Sequence, residues 1–289
     1  MSRDESDYYT FMQFSSEGSR DGLRYYLRYF ADPLGPVVEL GCGRGEFLDV
    51  LAEAGVAGSG VDVDEGMVER ARAAGHQVVL ADVVDYLAER PAGSVPALFC
   101  AHLLEHLPAE RVDRLYAEAG RALAPGGVFV AAVPNAACLS VLGYDFWRDP
   151  THVRFYDPMV LAFFAERAGL SVGETGGNPN NHPGPPPHLW PPALVGQPAL
   201  GEEIGRVVRL ASSLPAAARH GTARGADNGG APWPEFGHLV GVLDQRLQAV
   251  QHQVASLQAA YQNLLAQLYP PNEVYVVARK PDGAGALNA

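Results

Sequence analysis

The chain has 289 residues, of which 47% are hydrophobic and 19% are charged, so we expect a globular protein rather than a disordered one. Its 33 acidic residues outnumber its 21 basic residues, and the formal net charge of −12 disfavours unspecific binding to nucleic acid. The sequence contains no apolar run near the roughly 20 residues that a membrane span needs, and its polar start lacks the apolar stretch of a signal peptide. We therefore expect a cytoplasmic protein that makes no membrane span and binds no nucleic acid.

The three cysteines, Cys42, Cys100 and Cys138, are widely separated in the sequence. No pair has the spacing of a zinc finger, and three scattered cysteines do not form a disulfide framework. We expect neither a structural zinc site nor disulfide bonds.

Between Val37 and residue 135, apolar runs alternate with stretches of helical pattern. The predicted strands are Val37–Leu40, Gly58–Val63, Gln77–Ala81, Ala97–Cys100 and Val128–Val133. The predicted helices between them are Glu46–Ala54, Glu65–Ala74, Val84–Glu89 and Ala109–Leu123. Alternating strands and helices predict a doubly wound α/β fold, in which helices cover both faces of a parallel sheet.

The segments on either side of this region have a different composition. Aromatic residues are frequent before it, and their spacing from Asp21 to Phe30 predicts a helix that packs on the α/β domain. Residues 178–198 are dense in Pro, Asn and Gly and predict an extended loop. A short helix is expected over Glu202–Leu214, followed by a glycine-rich stretch at 220–234.

A long helix is predicted from Phe236 to Leu268. Its apolar residues recur at alternating spacings of four and three, namely Leu243, Leu247, Val250, Val254, Leu257, Tyr261, Leu264 and Leu268. This is a heptad seam, which indicates coiled-coil packing. Because the Glu202–Leu214 helix is too short to cover the seam, we expect a homodimer through residues 236–268.

The last apolar stretch, Glu273–Arg279, alternates as a strand and is expected to return to the sheet edge. We therefore predict an aromatic helical segment at 1–36, an α/β domain at 37–176, and a loop and coiled-coil insertion at 177–272. The final strand then lies within 273–281.

The first predicted strand runs directly into a glycine-rich turn and a helix. Gly41, Gly43 and Gly45 allow the backbone to approach a ligand closely, and the helix start presents free N–H groups. Dinucleotide-binding proteins use such a turn too, so a nicotinamide-dependent oxidoreductase is one alternative. Glu46 occupies the place of the last glycine in a dinucleotide pattern, and Glu39 lies inside the strand. Both details disfavour a dinucleotide.

Acidic residues follow the next two strands. Asp62 ends the second strand, where a carboxylate can accept both ribose hydroxyls of a nucleoside. Asp82 ends the third strand, from which its side chain could reach the exocyclic amine of adenine. The sequence thus favours a nucleoside-containing ligand at the carboxyl ends of the strands.

Together these residues resemble the class I methyltransferases that use S-adenosyl-L-methionine (SAM). The matching motifs are Glu39-x-Gly41-x-Gly43-x-Gly45, Val61-Asp62, Ala81-Asp82, Glu105-His106-Leu107 and Leu123-x-Pro125-Gly126-Gly127. The resemblance covers residues 37–135 and implies a Rossmann-like sheet of seven strands with SAM as the cofactor. The residues implied at the cofactor are Glu39, Gly41, Cys42, Gly43, Asp62, Val63, Met67, Asp82, Val83 and His102.

A narrower resemblance points to the acceptor. The Gly18-Ser19-Arg20 start, the FWRDPTHVR sequence at 146–154 and the closing strand at 274–280 are similar to bacterial methyltransferases that act on sugar or polysaccharide hydroxyls. This resemblance implies O-methylation of a sugar, an oligosaccharide or another polar hydroxyl compound. Glu17 departs from those relatives, which often have a positive residue there. N- or C-methylation of a small metabolite stays open, as does a non-catalytic coiled-coil adaptor with a vestigial methyltransferase fold.

A hydroxyl acceptor must lose its proton during methyl transfer, and histidine is a suitable base near neutral pH. His106 follows the fourth strand, and His152 lies in the loop after the fifth, both at the carboxyl end of the sheet where ligands bind. We expect one of these two to be the general base, with Asp149 as the alternative. His102 is expected to line the cofactor pocket.

A metal ion is a further alternative. His102, Glu105 and His106 stand at i, i+3 and i+4, which share a face on a helical turn. They resemble the E-x-x-E-H pattern that ubiquinone-pathway O-methyltransferases carry in association with a divalent ion, with His102 in place of the first acid. We assign no metal ligand from this pattern and leave a divalent ion open.

Overall fold

The computed structural model describes residues 16–30, 35–182 and 234–282. The predicted Glu202–Leu214 helix lies outside these ranges, as do most of the Pro-rich loop, the glycine-rich stretch before residue 234 and the chain before residue 16.

Strands and helices alternate through the first part of the described chain. The strands are β1 (Val37–Leu40), β2 (Gly58–Asp62), β3 (Val78–Leu80), β4 (Val95–Ala101), β5 (Leu123–Pro134), β6 (Ser171–Gly177) and β7 (Glu273–Arg279). The α-helices are α1 (Ser16–Arg24), α2 (Glu46–Glu53), α3 (Glu65–Ala73), α4 (Val83–Ala88), α5 (Ala109–Ala122), α6 (Leu139–Gly143), α7 (Pro158–Arg167) and α8 (Pro234–Leu268). Short 3₁₀ helices cover Tyr25–Tyr29, Leu104–His106 and Asp145–Arg148.

Most predicted bounds lie within two residues of those in the structure, and two predictions differ more widely. β5 begins at Leu123 rather than at Val128, because Leu123 pairs with Val95 of β4 across an irregularity in register. The expected single helix over Asp21–Phe30 is wrong, since α1 ends at Arg24 and a 3₁₀ turn follows.

The seven strands form one sheet in the order β3-β2-β1-β4-β5-β7-β6. The first five are parallel, whereas β7 runs antiparallel to both β5 and β6. The strand order reverses between β1 and β4. In doubly wound sheets a ligand binds outside the carboxyl ends of the strands at this reversal. The predicted fold class is confirmed.

Both faces of the central strands β1, β4 and β5 are buried, as their continuous apolar sequences predict, whereas the edge strands β3 and β6 are partly exposed. Side chains alternate along β4, so that Leu98 packs with α4, α5 and α7, whereas Phe99 packs on the opposite face with α2. Phe99 contacts Phe47 of α2, with ring centroids 3.9 Å apart, and Tyr26 at 5.2 Å. The 3₁₀ turn after α1 therefore places its aromatic residues against the domain core.

The chain leaves the sheet after β6 and returns to it at β7. These two strands pair with each other, with Gly177 opposite Val274. The chain divides into two compact units, residues 1–184 with 268–289 and residues 185–267. That residues 177–272 are an insertion stays a prediction.

Within the second unit, α8 is the long helix that the heptad pattern predicts, and it begins two residues earlier than expected. The seam residues Val250, Val254, Leu257 and Leu264 are exposed, Leu257 to 70%. No helix in the described ranges is long and apolar enough to cross a membrane.

Candidate active site

A cavity of about 380 Å³ opens at the carboxyl ends of β1, β2 and β4, where the strand order reverses. All ten residues predicted at the cofactor line this cavity, and so does the predicted base His106. Their contact with a cofactor stays a prediction, but the fold brings them to one place.

The glycine turn after β1 leaves room for a ligand at Gly43. This residue has a φ of 52°, and a Cβ placed there would meet no atom within 4 Å. Its N–H donates to Oδ2 of Asp62 at 2.8 Å. Gly45 differs, because a Cβ at that position would lie 2.8 Å from the ring of His76. Gly45 is therefore required by packing between α2 and its neighbours, whereas Gly43 gives the ligand space.

The carboxylate of Asp62 is fixed in the cavity wall by backbone donors. Oδ2 accepts from Gly43, and Oδ1 accepts from the N–H of Asp64 at 2.9 Å. Burial raises the pKa of Asp62, while these two hydrogen bonds lower it. A preoriented carboxylate at the end of β2 fits the two hydroxyls of a ribose.

Asp82 is the N-cap residue of α4 and has structural partners of its own. Oδ1 accepts from the N–H of Val84 at 2.9 Å, and Oδ2 pairs with the guanidinium of Arg111. The carboxylate therefore caps the helix as well as lining the cavity. Val63 and Met67 line the same cavity and supply apolar surface that suits an adenine ring.

Glu39 presents an unpaired acceptor to the cavity. The side chain is buried within β1, and Oε2 has no hydrogen-bond partner among the described residues. Burial, together with the nearby carboxylates of Glu46 and Asp62, raises the pKa of Glu39 well above its usual value. Because a buried acceptor without a partner is costly, this position fits a ligand that brings an N–H donor, such as the amino group of SAM.

His102 lies at the end of β4 between two buried carboxylates. Its Nδ1 is 3.3 Å from Oε1 of Glu105, and its Nε2 is 2.6 Å from Oε2 of Glu273. Burial lowers the pKa of His102, but the two carboxylates outweigh it and hold this pKa well above its usual value. His102 is thus an imidazolium with both nitrogens occupied.

This arrangement changes the metal hypothesis. Both ring nitrogens of His102 are taken up by carboxylates, Nδ1 by Glu105 and Nε2 by Glu273, and its backbone is left-handed, with a φ of 53°. The set that the structure brings together is Glu105, His106 and His152, whose ligand atoms lie within 4.8 Å of one another. Glu105 is fully buried, and its Oε2 has no hydrogen-bond partner in the described part of the chain. A carboxylate and two imidazoles are a donor set that fits a divalent transition metal.

His106 is oriented by a short chain of hydrogen bonds. The Thr151 hydroxyl donates to Oδ1 of Asp149 at 2.6 Å, and its oxygen lies 2.8 Å from Nδ1 of His106. Nδ1 must therefore carry the proton, which leaves the lone pair on Nε2. Burial lowers the pKa of His106, and the charge of His152 adds to this, although Glu105 and Asp149 act in the opposite direction. A neutral imidazole with a free lone pair is what a general base requires.

His152 is held beside His106. Its Nδ1 donates to the carbonyl of Phe146 at 2.5 Å, and its ring stacks on that of Phe146, with centroids 4.3 Å apart. The rings of His106 and His152 lie 4.6 Å apart. Neither His152 nor Asp149 lines the cavity, but both belong to the group around His106. The structure thus brings the three predicted catalytic residues together.

The remaining residues of the cavity wall were not predicted. They are Leu23, Arg44, Glu46, Phe47, Ala101, Leu103, Leu107 and Thr151. Thr151 had a signal in the sequence, since a hydroxyl stands between Asp149 and His152. Leu23 had none, because only the docking of α1 places it there.

The family of the chain follows from comparison with known proteins. A family model described as "Methyltransferase domain" matches residues 15–175, which is more than half of the chain. The chain belongs to this family of methyltransferases, and the cofactor of this class of enzyme is S-adenosyl-L-methionine.

Two curated relatives and one solved structure define the similarity more closely. A protein of Mycolicibacterium smegmatis named "Probable S-adenosylmethionine-dependent methyltransferase" is 34% identical over 141 residues, covering 48% of this chain and 53% of that protein. A "Ubiquinone biosynthesis O-methyltransferase" of Pseudomonas aeruginosa is 29% identical over 153 residues, covering 47% of this chain and 64% of that protein. The chain thus spans between half and two thirds of the length of these relatives. A SAM-dependent methyltransferase from Archaeoglobus fulgidus shares the fold, with a TM-score of 0.63 at 22% identity, covering 96% of this chain and all of that one.

Proposed function

We propose that this chain transfers the methyl group of SAM to a hydroxyl oxygen of a polar acceptor, with His106 as the general base. The observation that carries the proposal is the Asp149–Thr151–His106 hydrogen-bond chain at the edge of the cofactor cavity. It orients a neutral imidazole where a deprotonating group is needed. Membership of the methyltransferase family disfavours the dinucleotide-dependent alternative.

The cavity residues have separate tasks in this proposal. Asp62 accepts the ribose hydroxyls, Gly43 gives the cofactor backbone room, and the unpaired Oε2 of Glu39 accepts from the amino group of the methionine part. SAM supplies a methyl carbon that is already activated by the sulfonium. The protein must chiefly align this carbon with the acceptor, and such alignment can lower the activation free energy by several kcal/mol.

The transfer step is an in-line displacement. A lone pair of the acceptor oxygen forms the new C–O bond while the C–S bond breaks. The electron pair of the broken C–S bond stays on sulfur, which becomes a neutral thioether. The acceptor proton moves to Nε2 of His106. The resulting imidazolium is stabilised by the buried carboxylate of Glu105 and by the hydrogen-bond chain to Asp149.

For the acceptor we propose a sugar, an oligosaccharide or a related hydroxyl compound. Besides the FWRDPTHVR resemblance, the support is the exposed aromatic surface beside the base. Trp147 is 67% exposed, its Nε1 donates to the carbonyl of Leu142 at 2.8 Å, and its ring contacts Phe146 edge-on. Phe146 in turn stacks on His152. A fixed, exposed indole offers a flat surface for a sugar ring next to polar groups.

The test is a methyl-transfer assay with labelled SAM and a panel of sugars, sugar nucleotides and oligosaccharides. His106→Ala should lower turnover roughly 100-fold or more while SAM still binds. His252→Ala, on an exposed stretch of α8, is the matched control and should keep the wild-type rate. A His106→Ala variant with near-normal turnover would reject His106 as the base. Wild-type SAM binding without transfer to any hydroxyl compound would favour the N- or C-methylation or the adaptor alternative.

A further inference from the structure

Glu273, the first residue of β7, receives hydrogen bonds from three other parts of the chain. Its side chain is 2% exposed. Oε1 accepts from the hydroxyl of Tyr26 and from Nδ2 of Asn178, the latter at 2.9 Å. Oε2 accepts from Nε2 of His102 at 2.6 Å. One buried carboxylate therefore joins the turn after α1, the end of β6 and the wall of the cofactor cavity.

His102 depends on such a partner because of its backbone. It is the one residue other than glycine with a positive φ in the described part of the chain. A residue with a Cβ keeps this conformation only where the surrounding structure holds it, and such residues cluster at functional sites. Here Glu105 and Glu273 hold the ring from its two nitrogens.

The same carboxylate lies where the chain between β6 and β7 leaves and rejoins the sheet. The N–H of Asn178 donates to the carbonyl of Glu273 at 3.1 Å, and the N–H of Asn272 donates to the carbonyl of Asn181 at 2.8 Å. Nδ2 of Asn178 also donates to the carbonyl of Gly22 at 3.0 Å. The two ends of residues 178–272 thus close on each other at the group that holds His102.

A charged residue is costly at a fully buried strand position, where an apolar residue would pack without desolvating a carboxylate. Burial raises the pKa of Glu273, but His102, Tyr26 and Asn178 outweigh it and lower this pKa below its usual value. The charge is thus kept by its partners. Of these, only His102 lines the cavity.

We propose that Glu273 is a positioning residue of the cofactor cavity, which fixes His102 in the cavity wall and thereby couples cofactor binding to the two ends of residues 178–272. The inference rests on the proposed function, since it takes the cavity to be the SAM site. Coupling is reciprocal: a cofactor that binds against His102 stabilises the hydrogen bonds at Asn178 and Glu273, and their loss weakens cofactor binding.

The first test is a double-mutant cycle on SAM affinity, measured by calorimetry. Glu273→Gln preserves size but offers one acceptor oxygen to three donors, so SAM affinity should fall about tenfold. His102→Asn, which tolerates a left-handed backbone, should cause a similar loss. If Glu273 acts through His102, the double variant should bind SAM within about twofold of His102→Asn alone, because both changes remove the same Glu273–His102 contact.

Tyr26→Phe is the matched control. It removes a different hydrogen bond from the same carboxylate and leaves the His102 contact in place. We expect a lower melting temperature and SAM affinity within about twofold of the wild type. If Glu273→Gln likewise lowered the melting temperature and left SAM affinity within about twofold of the wild type, the role of Glu273 would be purely structural. That result would overturn the inference.

A second measurement covers the case in which Glu273→Gln does not fold. In hydrogen exchange on the wild type, SAM should slow exchange of the amides of Asn178 and Asn272, and in His102→Asn it should not. Equal protection in both proteins, or additive losses in the cycle, would overturn the inference alone. A wild type that binds no SAM would instead overturn the proposed function.

Discussion

His106 and Thr151 are 45 positions apart in the sequence, yet Nδ1 of the one lies 2.8 Å from Oγ1 of the other. The backbone brings them together, because the N–H of Val153 donates to the carbonyl of Glu105 at 2.7 Å and fixes the loop after α6 against the end of β4. Thr151 in turn donates to Asp149. The tautomer of His106 is therefore set by a residue from a distant loop.

Removing this hydroxyl should slow the reaction without loss of cofactor. In Thr151→Val, His106 loses the acceptor that keeps its proton on Nδ1, so we expect turnover to fall about 10–100-fold. SAM affinity should stay within about twofold, because valine keeps the shape of Thr151 in the cavity wall and the lost hydroxyl acts on His106. Turnover and calorimetry on Thr151→Val and on Ser94→Ala, an exposed hydroxyl far from the cavity, measure both quantities. Equal rates in the two variants would reject the hydrogen-bond chain.

The pH dependence of turnover should report the lowered pKa of His106. A general base must be unprotonated, so the rate should fall as the pH drops through the folded pKa of this histidine and stay level above it. Burial places this pKa below the ordinary value of about 6.5, so the acidic limb should lie below that pH. A pH–rate profile of kcat/KM, which reports groups of the free enzyme, tests this, and a limb at pH 7.5 or higher would assign the titration to another group.

Metal dependence has a direct test in the Glu105, His106 and His152 cluster. Because Nδ1 of His106 is occupied by Thr151, an ion bound there would take the Nε2 that the proposed base needs, so the metal is the alternative to that base. If a divalent ion binds, exhaustive EDTA treatment should abolish turnover, and magnesium, manganese or zinc should restore it. His152→Ala should then raise the metal concentration needed for half-maximal rate. Full activity after EDTA would leave the cluster as a metal-free base site, with SAM binding unaffected.

The seam on α8 predicts self-association. Leu257 is exposed in the single chain, and burying a leucine is worth about 1.5–3 kcal/mol, so a second copy of the helix is a favourable partner. Sedimentation should show a dimer of the 30.8 kDa chain at micromolar concentration. Leu257→Lys should shift it to monomer, and the neighbouring Gln258→Lys should not. A wild-type monomer would mean that no second copy covers the seam.

The sheet could be predicted from the sequence because its signals are local. Apolar runs such as Val37–Leu40 and the strand at Glu273–Arg279 carry their own periodicity, and the Gly43 turn and Asp62 lie at strand ends, where ligands bind in this type of fold. The cavity residues predicted from these motifs therefore lie together.

What could not be predicted depends on contacts between distant segments. His102 pairs with Glu273, which lies 171 positions further along the chain. The residues next to His102 in the sequence give no sign that its backbone is left-handed. The spacing argument therefore grouped His102 with Glu105 and His106, and it gave no sign that the second ring nitrogen of His102 pairs with Glu273. For the same reason, the turn at Tyr25–Tyr29 was expected as a continuous helix, because only packing on Phe99 shows where its aromatic rings lie.

The central claim is that the cavity between β1 and β4 binds SAM through Asp62, and a calorimetric titration tests it most directly. SAM should bind the wild type at one site per chain, and NADH should give no heat. Asp62→Ala should weaken SAM binding by about 1–3 kcal/mol, because a charge-assisted contact with the ribose is lost, whereas the exposed Asp85→Ala should bind as the wild type does. No SAM binding by the wild type, or equal affinity in Asp62→Ala, would contradict the claim.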